Sequence, residues 1–185
     1  ELELKKIHLV GFSLGALIAR HFASEHSDRL SSLTLHGSIY KRSNDQKKIV
    51  ENRFELIKAG KPAAKDRSIR RWLTAEYIKN NPDIYEKIFT TLEKNNHENF
   101  IKAYKLFVYY EDNDEILTKI NTNTLVSTGQ HDVGSTTEMA INLSEKIKDS
   151  TYLEIKNGKH LCNIECADDF NRNLELFIDK NYEEA

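Results

Sequence analysis

The pentapeptide Gly11-Phe12-Ser13-Leu14-Gly15 constrains the fold of this chain more than any other sequence feature. It follows the apolar, β-branched run of residues 7–10, which predicts a short buried strand. It precedes apolar residues at helical spacing: Leu14, Leu17, Ile18 and Phe22. The serine therefore stands on a tight turn between a strand and a helix, and a further strand is predicted from Leu30 to Leu35.

Composition divides the chain into three segments. Residues 1–39 form the strand, turn, helix and second strand, and residues 119–185 predict two further strands, each followed by a helix. Residues 40–118 are rich in helix-forming Lys, Glu, Ala and Ile and predict three or four helices, with Pro62 and Pro82 at helix starts. Strands separated by helices form a parallel sheet, so we expect one α/β domain with a helical insertion.

Charge and hydropathy exclude several classes of protein. The 185 residues contain 27 Lys and Arg against 29 Asp and Glu, a formal charge of −2 that is spread along the chain. We therefore expect no nucleic-acid partner. No apolar run approaches the roughly 20 residues of a membrane-spanning helix, so we expect no membrane association and a cytoplasmic protein.

Cysteine and histidine spacing gives no sign of a metal site. The two cysteines, Cys162 and Cys166, are too few for a disulfide framework or a four-ligand site, and reduced thiols are the simplest interpretation. The seven histidines form no His-x-His or His-x-x-x-His pattern. We expect no metal ion and no cofactor.

The chemistry of the turn depends on Ser13. Gly-x-Ser-x-Gly between a strand and a helix is typical of a nucleophile elbow, where the backbone N–H of the next residue, Leu14, faces the developing oxyanion at a helix amino end. A glycine-rich turn without chemistry is the alternative. A serine hydroxyl is a weak nucleophile, so the elbow requires a general base nearby.

Two later loops supply such a base and its partner. Asp132 follows the predicted strand that ends at Gly129, and His160 follows the strand that ends near Lys156. Carboxyl ends of parallel strands meet at one sheet edge, so both are expected beside Ser13. Each alone is a common loop residue. Together, in the order Ser, Asp, His, they predict a triad in which His160 is the base and Asp132 orients it.

Residues for a substrate pocket are less well defined. The aromatic side chains Trp72 and Tyr109 of the insertion are candidates for an apolar acyl pocket, although aromatics at helical spacing more often only pack. His36, at the end of the second strand, faces the same sheet edge and is a third candidate. The helix after Gly129 is expected to open with a capping box from Ser135 to Glu138.

Four sequence segments resemble a known family. They are Ile-His-Leu-Val-Gly-Phe-Ser-Leu-Gly, Asp28 to Leu35, Thr-Leu-Val-Ser-Thr-Gly-Gln-His-Asp, and Gly-Lys-His-Leu before the last helix. The chain resembles the carboxyl-terminal two-thirds of a lidded α/β-hydrolase, closest in pattern to 3-oxoadipate enol-lactonases and related carboxylesterases. The resemblance implies a Ser13, Asp132 and His160 triad, an oxyanion donor at Leu14, a lid at residues 40–118 and no cofactor.

The resemblance also implies strands before residue 7, together with a loop carrying a second oxyanion donor. We therefore expect a fragment of a longer protein, or a chain that needs a partner to complete its sheet, and little turnover by these 185 residues alone. An unpaired first strand favours association with a second copy through that edge.

The predicted function is hydrolysis of a carboxylic ester or lactone, a small-molecule substrate, through an acyl-enzyme. Two alternatives remain open. One is a non-catalytic or slow binding protein on the same fold, since fold does not fix function. The other is a carbon-carbon hydrolase or acyltransferase, which uses the same three residues.

Overall fold

A computed structural model describes residues 4–60 and 63–182 of the chain. It contains two compact units: unit 1, Glu1–Tyr40 with Asp112–Ala185, and unit 2, Lys41–Glu111. The elements in chain order are β1 (Ile7–Phe12), α1 (Leu14–His26), β2 (Leu30–His36), α2 (Asn44–Lys58), α3 (Ala63–Trp72), α4 (Ala75–Asn80), α5 (Pro82–Lys94), α6 (His97–Val108), α7 (Asp114–Thr118), β3 (Thr124–Gly129), α8 (Thr137–Ser144), β4 (Ser150–Ile155), α9 (Cys162–Glu165) and α10 (Ala167–Lys180).

Unit 1 is built on a parallel sheet of four strands in the order β1-β2-β3-β4. The predicted α/β class is confirmed. The two central strands are buried along nearly their whole length, as expected where helices cover both faces of a parallel sheet. Leu33, Leu35 and Val126 are fully buried there. In the described residues β1 pairs with β2 on one side, and on its other side no strand is present.

The packed face of α1 differs from the one its apolar spacing predicts. Ile18 is 62% exposed and Phe22 is 37% exposed. The buried face consists instead of small residues with one leucine and one arginine: Ala16, Leu17, Ala19, Arg20 and Ala23. The reason is the close approach of α1 to β1, because a Cβ on Gly11 would lie 2.7 Å from the Ala19 Cβ. Side chains larger than alanine therefore do not fit where α1 crosses Gly11, at Ala16 and Ala19.

The bounds of unit 2, Lys41–Glu111, are not those of the insertion predicted at residues 40–118, which stays a prediction. Helix α7 packs against α1, and Arg20 on α1 forms an ion pair with Asp112 at 3.4 Å. Residues from Asp112 onward therefore belong to unit 1, and unit 2 ends at Glu111. The function of unit 2 as a lid stays a prediction.

Unit 2 contains five helices in its described residues, α2 to α6, where three or four were expected. The additional short helix α4 arises because Thr74 caps it, accepting a hydrogen bond from the Tyr77 N–H at 3.2 Å. Pro82 is the first residue of α5, as predicted, and Pro62 lies outside the described residues. The Arg42 guanidinium joins the ends of the unit by donating to the Phe107 and Val108 carbonyls.

The start of α8 also differs from expectation by one residue. The cap is Thr136, whose hydroxyl accepts from the Met139 N–H at 3.2 Å. Ser135 does not cap the helix, since its hydroxyl donates to the Gly37 carbonyl at 2.7 Å and so joins the loop after β3 to the loop after β2. No helix of the described residues has the length and apolar character needed to cross a membrane.

The burial of β2 predicts a difference in stability between two leucine variants. Leu35→Ala should lower the free energy of unfolding by about 2–5 kcal/mol, because Leu35 is fully buried and the cavity left behind adds to the lost transfer free energy. Leu176→Ala, the same substitution at a residue that is 63% exposed on α10, should change it by less than about 0.5 kcal/mol. Urea unfolding followed by circular dichroism measures both, and equal losses would contradict the assignment of β2 to the core.

Candidate active site

The structure brings Ser13, Asp132 and His160 into one hydrogen-bonded series. Ser13 follows β1, Asp132 follows β3 and His160 follows β4, so all three stand at the carboxyl edge of the sheet. His160 Nε2 lies 3.1 Å from Ser13 Oγ, and His160 Nδ1 lies 2.6 Å from Asp132 Oδ2. These are the contacts that a nucleophile, a general base and an orienting acid require.

The turn at Ser13 is strained and held by backbone hydrogen bonds. Ser13 has φ 53° and ψ −116°, a conformation that non-glycine residues rarely adopt. Its N–H donates to the His36 carbonyl at 2.9 Å, and its carbonyl accepts from the Ala16 N–H at 3.0 Å. The turn thereby lifts the hydroxyl out of β1 and toward His160.

The predicted oxyanion donor lies in the first turn of α1. Among the described residues the Leu14 N–H has no acceptor, as is usual at a helix amino end. The two glycines of the motif differ in their roles. Gly11 is required by its contact with α1, whereas a Cβ at Gly15 would meet no described atom within 4 Å.

The Asp132 carboxylate is buried, and both of its oxygens take part in hydrogen bonds. Its side chain is 1% exposed, and Oδ1 accepts from the N–H groups of Gly134 at 2.8 Å and Ser135 at 3.0 Å. Burial raises the pKa of this carboxyl, but the hydrogen bond and charge of His160 and the two backbone donors outweigh it and hold the pKa below its ordinary value. The ionised carboxylate favours a proton on Nδ1 of His160, which leaves the Nε2 lone pair facing Ser13.

Glycines permit the loop of His160 to approach the sheet. A Cβ on Gly129 would collide with the carbonyl oxygens of Gly158 and Lys159, so this strand end must be glycine. The loop is held there by a hydrogen bond from the His131 N–H to the Gly158 carbonyl at 2.8 Å. Gly37, at φ 58°, lies under the His160 ring, where a Cβ would approach the ring to 3.3 Å.

His36 lies beneath the triad rather than on an open surface. His36 is 1% exposed. Its ring stacks on Phe12, with centroids 5.3 Å apart, and lies against Phe170 in a tilted arrangement, with centroids 4.6 Å apart. The Phe12 ring in turn lies 5.0 Å from the ring of His160. Burial, followed by the charge of His160, lowers the pKa of His36 to about 4, so His36 is neutral. Contact of His36 with a substrate stays a prediction that this position does not favour.

Cys162 is buried beside His36. Its sulfur lies 3.5 Å from Nε2 of His36, and the residue is fully buried. Burial, with a smaller contribution from Cys166, raises the pKa of the Cys162 thiol to about 12, so it remains a protonated packing group.

The two aromatic candidates of the insertion do not share one cavity. Trp72 lines a cavity of unit 2 with Phe100 and Tyr104. Tyr109 is 51% exposed and stands edge-on to Phe54, with ring centroids 6.1 Å apart, in a separate groove. Their contact with a substrate stays a prediction.

Sequence reasoning did not identify the residues that support the triad. Phe12, Gly37 and Ser135 contact or position the three side chains, yet only Phe12 stands inside a recognisable motif, at a position where the motif accepts any residue. Among the described residues no group of three or more His, Cys, Asp or Glu side chains is arranged to hold a metal ion.

Comparison with known proteins gives one consistent result. The family model described as the alpha/beta hydrolase fold matches residues 1–70. The crystal structure of the enol-lactonase from Burkholderia xenovorans superposes with a TM-score of 0.84 at 24% identity, covering 96% of this chain and 67% of that chain. The chain therefore has the α/β-hydrolase fold.

Two curated relatives come from Acinetobacter baylyi. This chain is 26% identical to (E)-2-((N-methylformamido)methylene)succinate hydrolase over 96% of its own length and 67% of the relative. It is 24% identical to 3-oxoadipate enol-lactonase 2 over 96% of its own length and 65% of that protein. The chain thus spans about two thirds of the length of the curated relatives that it matches.

The buried His36 predicts a pH dependence of stability. Because its pKa is lowered from 6.5 to about 4, the folded state binds fewer protons than the unfolded state between these values. The free energy of unfolding should therefore fall as pH falls, by about 2 kcal/mol between pH 7 and pH 5 from this residue. Urea unfolding at the two pH values measures the difference.

The matched variants are His36→Gln, which removes the titrating group, and His131→Gln at an exposed loop position. His36→Gln should flatten the dependence by about that amount, and His131→Gln should retain it. An undiminished pH dependence in a folded His36→Gln variant would show that His36 is not the neutral buried group described.

Proposed function

We propose that this chain carries the catalytic residues of a serine hydrolase that cleaves a carboxylic ester or lactone through an acyl-enzyme. The observation that carries the proposal is the pair of contacts at His160, 3.1 Å to Ser13 Oγ and 2.6 Å to Asp132 Oδ2. Asp132 is buried and ionised and faces the nitrogen remote from the serine, which leaves the other nitrogen to act as the base.

The first half of the proposed reaction acylates the enzyme. His160 Nε2 accepts the Ser13 proton while Oγ attacks the carbonyl carbon. The carbonyl oxygen becomes an oxyanion that accepts a hydrogen bond from the Leu14 N–H at the start of α1. Asp132 stabilises the imidazolium, which then donates its proton to the departing alkoxide. In a lactone the alkoxide stays attached to the acyl group.

The second half releases the acid. Water takes the place of the alcohol, His160 accepts its proton, and the resulting hydroxide attacks the acyl carbon. The tetrahedral intermediate collapses when His160 returns the proton to Ser13 Oγ. The helix dipole of α1 favours the negative charge in both halves because its amino end faces the oxyanion.

The choice of an ester or lactone over other acyl substrates is supported by one curated relative, which is named an enol-lactonase. The other is named a hydrolase of a succinate that carries an N-methylformamido group, and that name contains neither an ester nor a lactone. A carbon-carbon hydrolase or acyltransferase would use the same three residues, and no observation on the described residues favours either. We further propose that the unpaired edge of β1 is covered in the working protein, by further chain or by a second copy.

The kinetic test uses the protein that carries this chain and p-nitrophenyl acetate or butyrate. Ser13→Ala and His160→Ala should each lower kcat/KM by at least about 10³-fold, because the nucleophile and base act as one unit. The double variant should be no worse than either single variant, for the same reason.

Two control variants test whether the loss of activity is specific to Ser13 and His160. Ser24→Ala removes a hydroxyl from α1, the helix that follows Ser13, and His131→Ala removes an imidazole next to Asp132. Neither residue belongs to the hydrogen-bonded series of Ser13, His160 and Asp132. Both should retain activity within about twofold. Wild-type rates in purified, folded Ser13→Ala and His160→Ala would refute the proposed mechanism.

A further inference from the structure

Two neighbouring cavities lie within unit 2. The first, the aromatic cavity, has a volume of about 320 Å³ and is lined by residues that include Trp72, Phe100 and Tyr104. The second, the arginine groove, has a volume of about 410 Å³. They share the residues Ala64, Ser68 and Arg71, which recur at helical spacing along one face of α3. One stripe of α3 therefore borders both cavities.

The aromatic cavity suits an apolar group. Phe100 and Tyr104 stack on each other on α6, with ring centroids 5.7 Å apart and planes 9° from parallel, and form a continuous wall. Leu92 and Ile57 add aliphatic surface. The volume falls at the lower end of the range of small-molecule sites, which are mostly apolar with a few polar groups.

The arginine groove suits an anion. Three arginines line it, Arg53, Arg67 and Arg71, and none of the residues that line it is acidic. Neither Arg53 nor Arg67 has a hydrogen-bond or ion-pair partner in the described part of the chain, and Arg53 is half-buried. Guanidinium groups bind carboxylate and phosphate oxygens in preference to other groups, because their planar donors match two oxygens at once.

Ser68 places a polar side chain at the border of the two cavities. The residue is 7% exposed and lines both of them. Its hydroxyl has no hydrogen-bond partner within residues 4–60 and 63–182, and it is not among the fully buried polar atoms, so it is open to the cavities. A hydroxyl in this position can donate a hydrogen bond to an oxygen of a ligand held there.

We propose that unit 2 binds a small anionic amphiphile, with a carboxylate or phosphate head at Ser68 and the arginine groove and an apolar body of about eight carbons in the aromatic cavity. The residues that line the two cavities all belong to unit 2, and Ser13, Asp132 and His160 are absent from them. The proposal therefore does not rest on the proposed hydrolase activity.

The only tryptophan of the chain gives a direct measurement, because Trp72 lines the aromatic cavity. Octanoate and octyl phosphate, titrated into the 185-residue chain, should each produce a saturable change of tryptophan fluorescence below about 1 mM. The neutral probe 1-octanol should bind at least about tenfold more weakly, because it cannot use the guanidinium groups. The comparison of the two anions shows which head the groove prefers.

A pair of variants distinguishes binding at the arginine groove from a general effect of losing positive charge. Arg53→Gln should weaken octanoate binding at least about tenfold, whereas Lys87→Gln, the loss of an exposed positive charge on α5 outside both cavities, should change it less than twofold. Ser68→Leu should abolish binding by filling the border. If thermal melting shows that Ser68→Leu does not fold, Arg53→Gln decides.

The same titration on protein with Ser13 blocked by a fluorophosphonate distinguishes this site from the proposed catalytic site. Binding should be unchanged after blocking. The proposal is overturned by the lack of a saturable signal with either anion, by equal affinities for octanoate and octanol, by equal effects of Arg53→Gln and Lys87→Gln, or by loss of binding after Ser13 is blocked. The first three of these results do not bear on whether Ser13 is a nucleophile.

Discussion

The hydrogen bond between the Asp132 carboxylate and His160 Nδ1, at 2.6 Å, is the interaction on which the rest of the site depends. It fixes the ring so that Nε2 faces Ser13, and it exists only because the Gly134 and Ser135 N–H groups compensate a carboxylate that is almost fully removed from water. Glycine at position 129 is equally necessary, because the loop before His160 lies where a side chain would stand. The position of His160 thus depends on the burial of Asp132, on the two backbone donors to its carboxylate and on the lack of a side chain at Gly129.

Much of the arrangement could be predicted from sequence because its signals are local. The elbow stands between an apolar run and a helical pattern, and Asp132 and His160 each follow a strand, so topology alone predicts one sheet edge for all three. The parallel sheet follows from the same alternation of strands and helices. The structure agrees with this part since carboxyl ends of parallel strands necessarily meet.

The parts that sequence could not predict depend on contacts between distant segments. The apolar spacing of α1 favoured Ile18 and Phe22 as core, but close approach at Gly11 selects alanines instead. The sequence favours Ser135 as a helix cap, but its hydroxyl donates to the Gly37 carbonyl instead. His36 stands at the predicted edge of the sheet, but its burial and its neutral state follow from the rings of Phe12 and Phe170 packed against it. Packing of this kind leaves no pattern in a single sequence.

The central claim is that Ser13 is a nucleophile activated by His160. Reaction of the folded protein that carries this chain with a fluorophosphonate, followed by mass mapping of the labelled peptide, tests it directly. The account predicts one adduct, on Ser13, whose formation is at least about 100-fold slower in a folded His160→Ala variant. An adduct on another residue, or an unchanged labelling rate in His160→Ala, would contradict it.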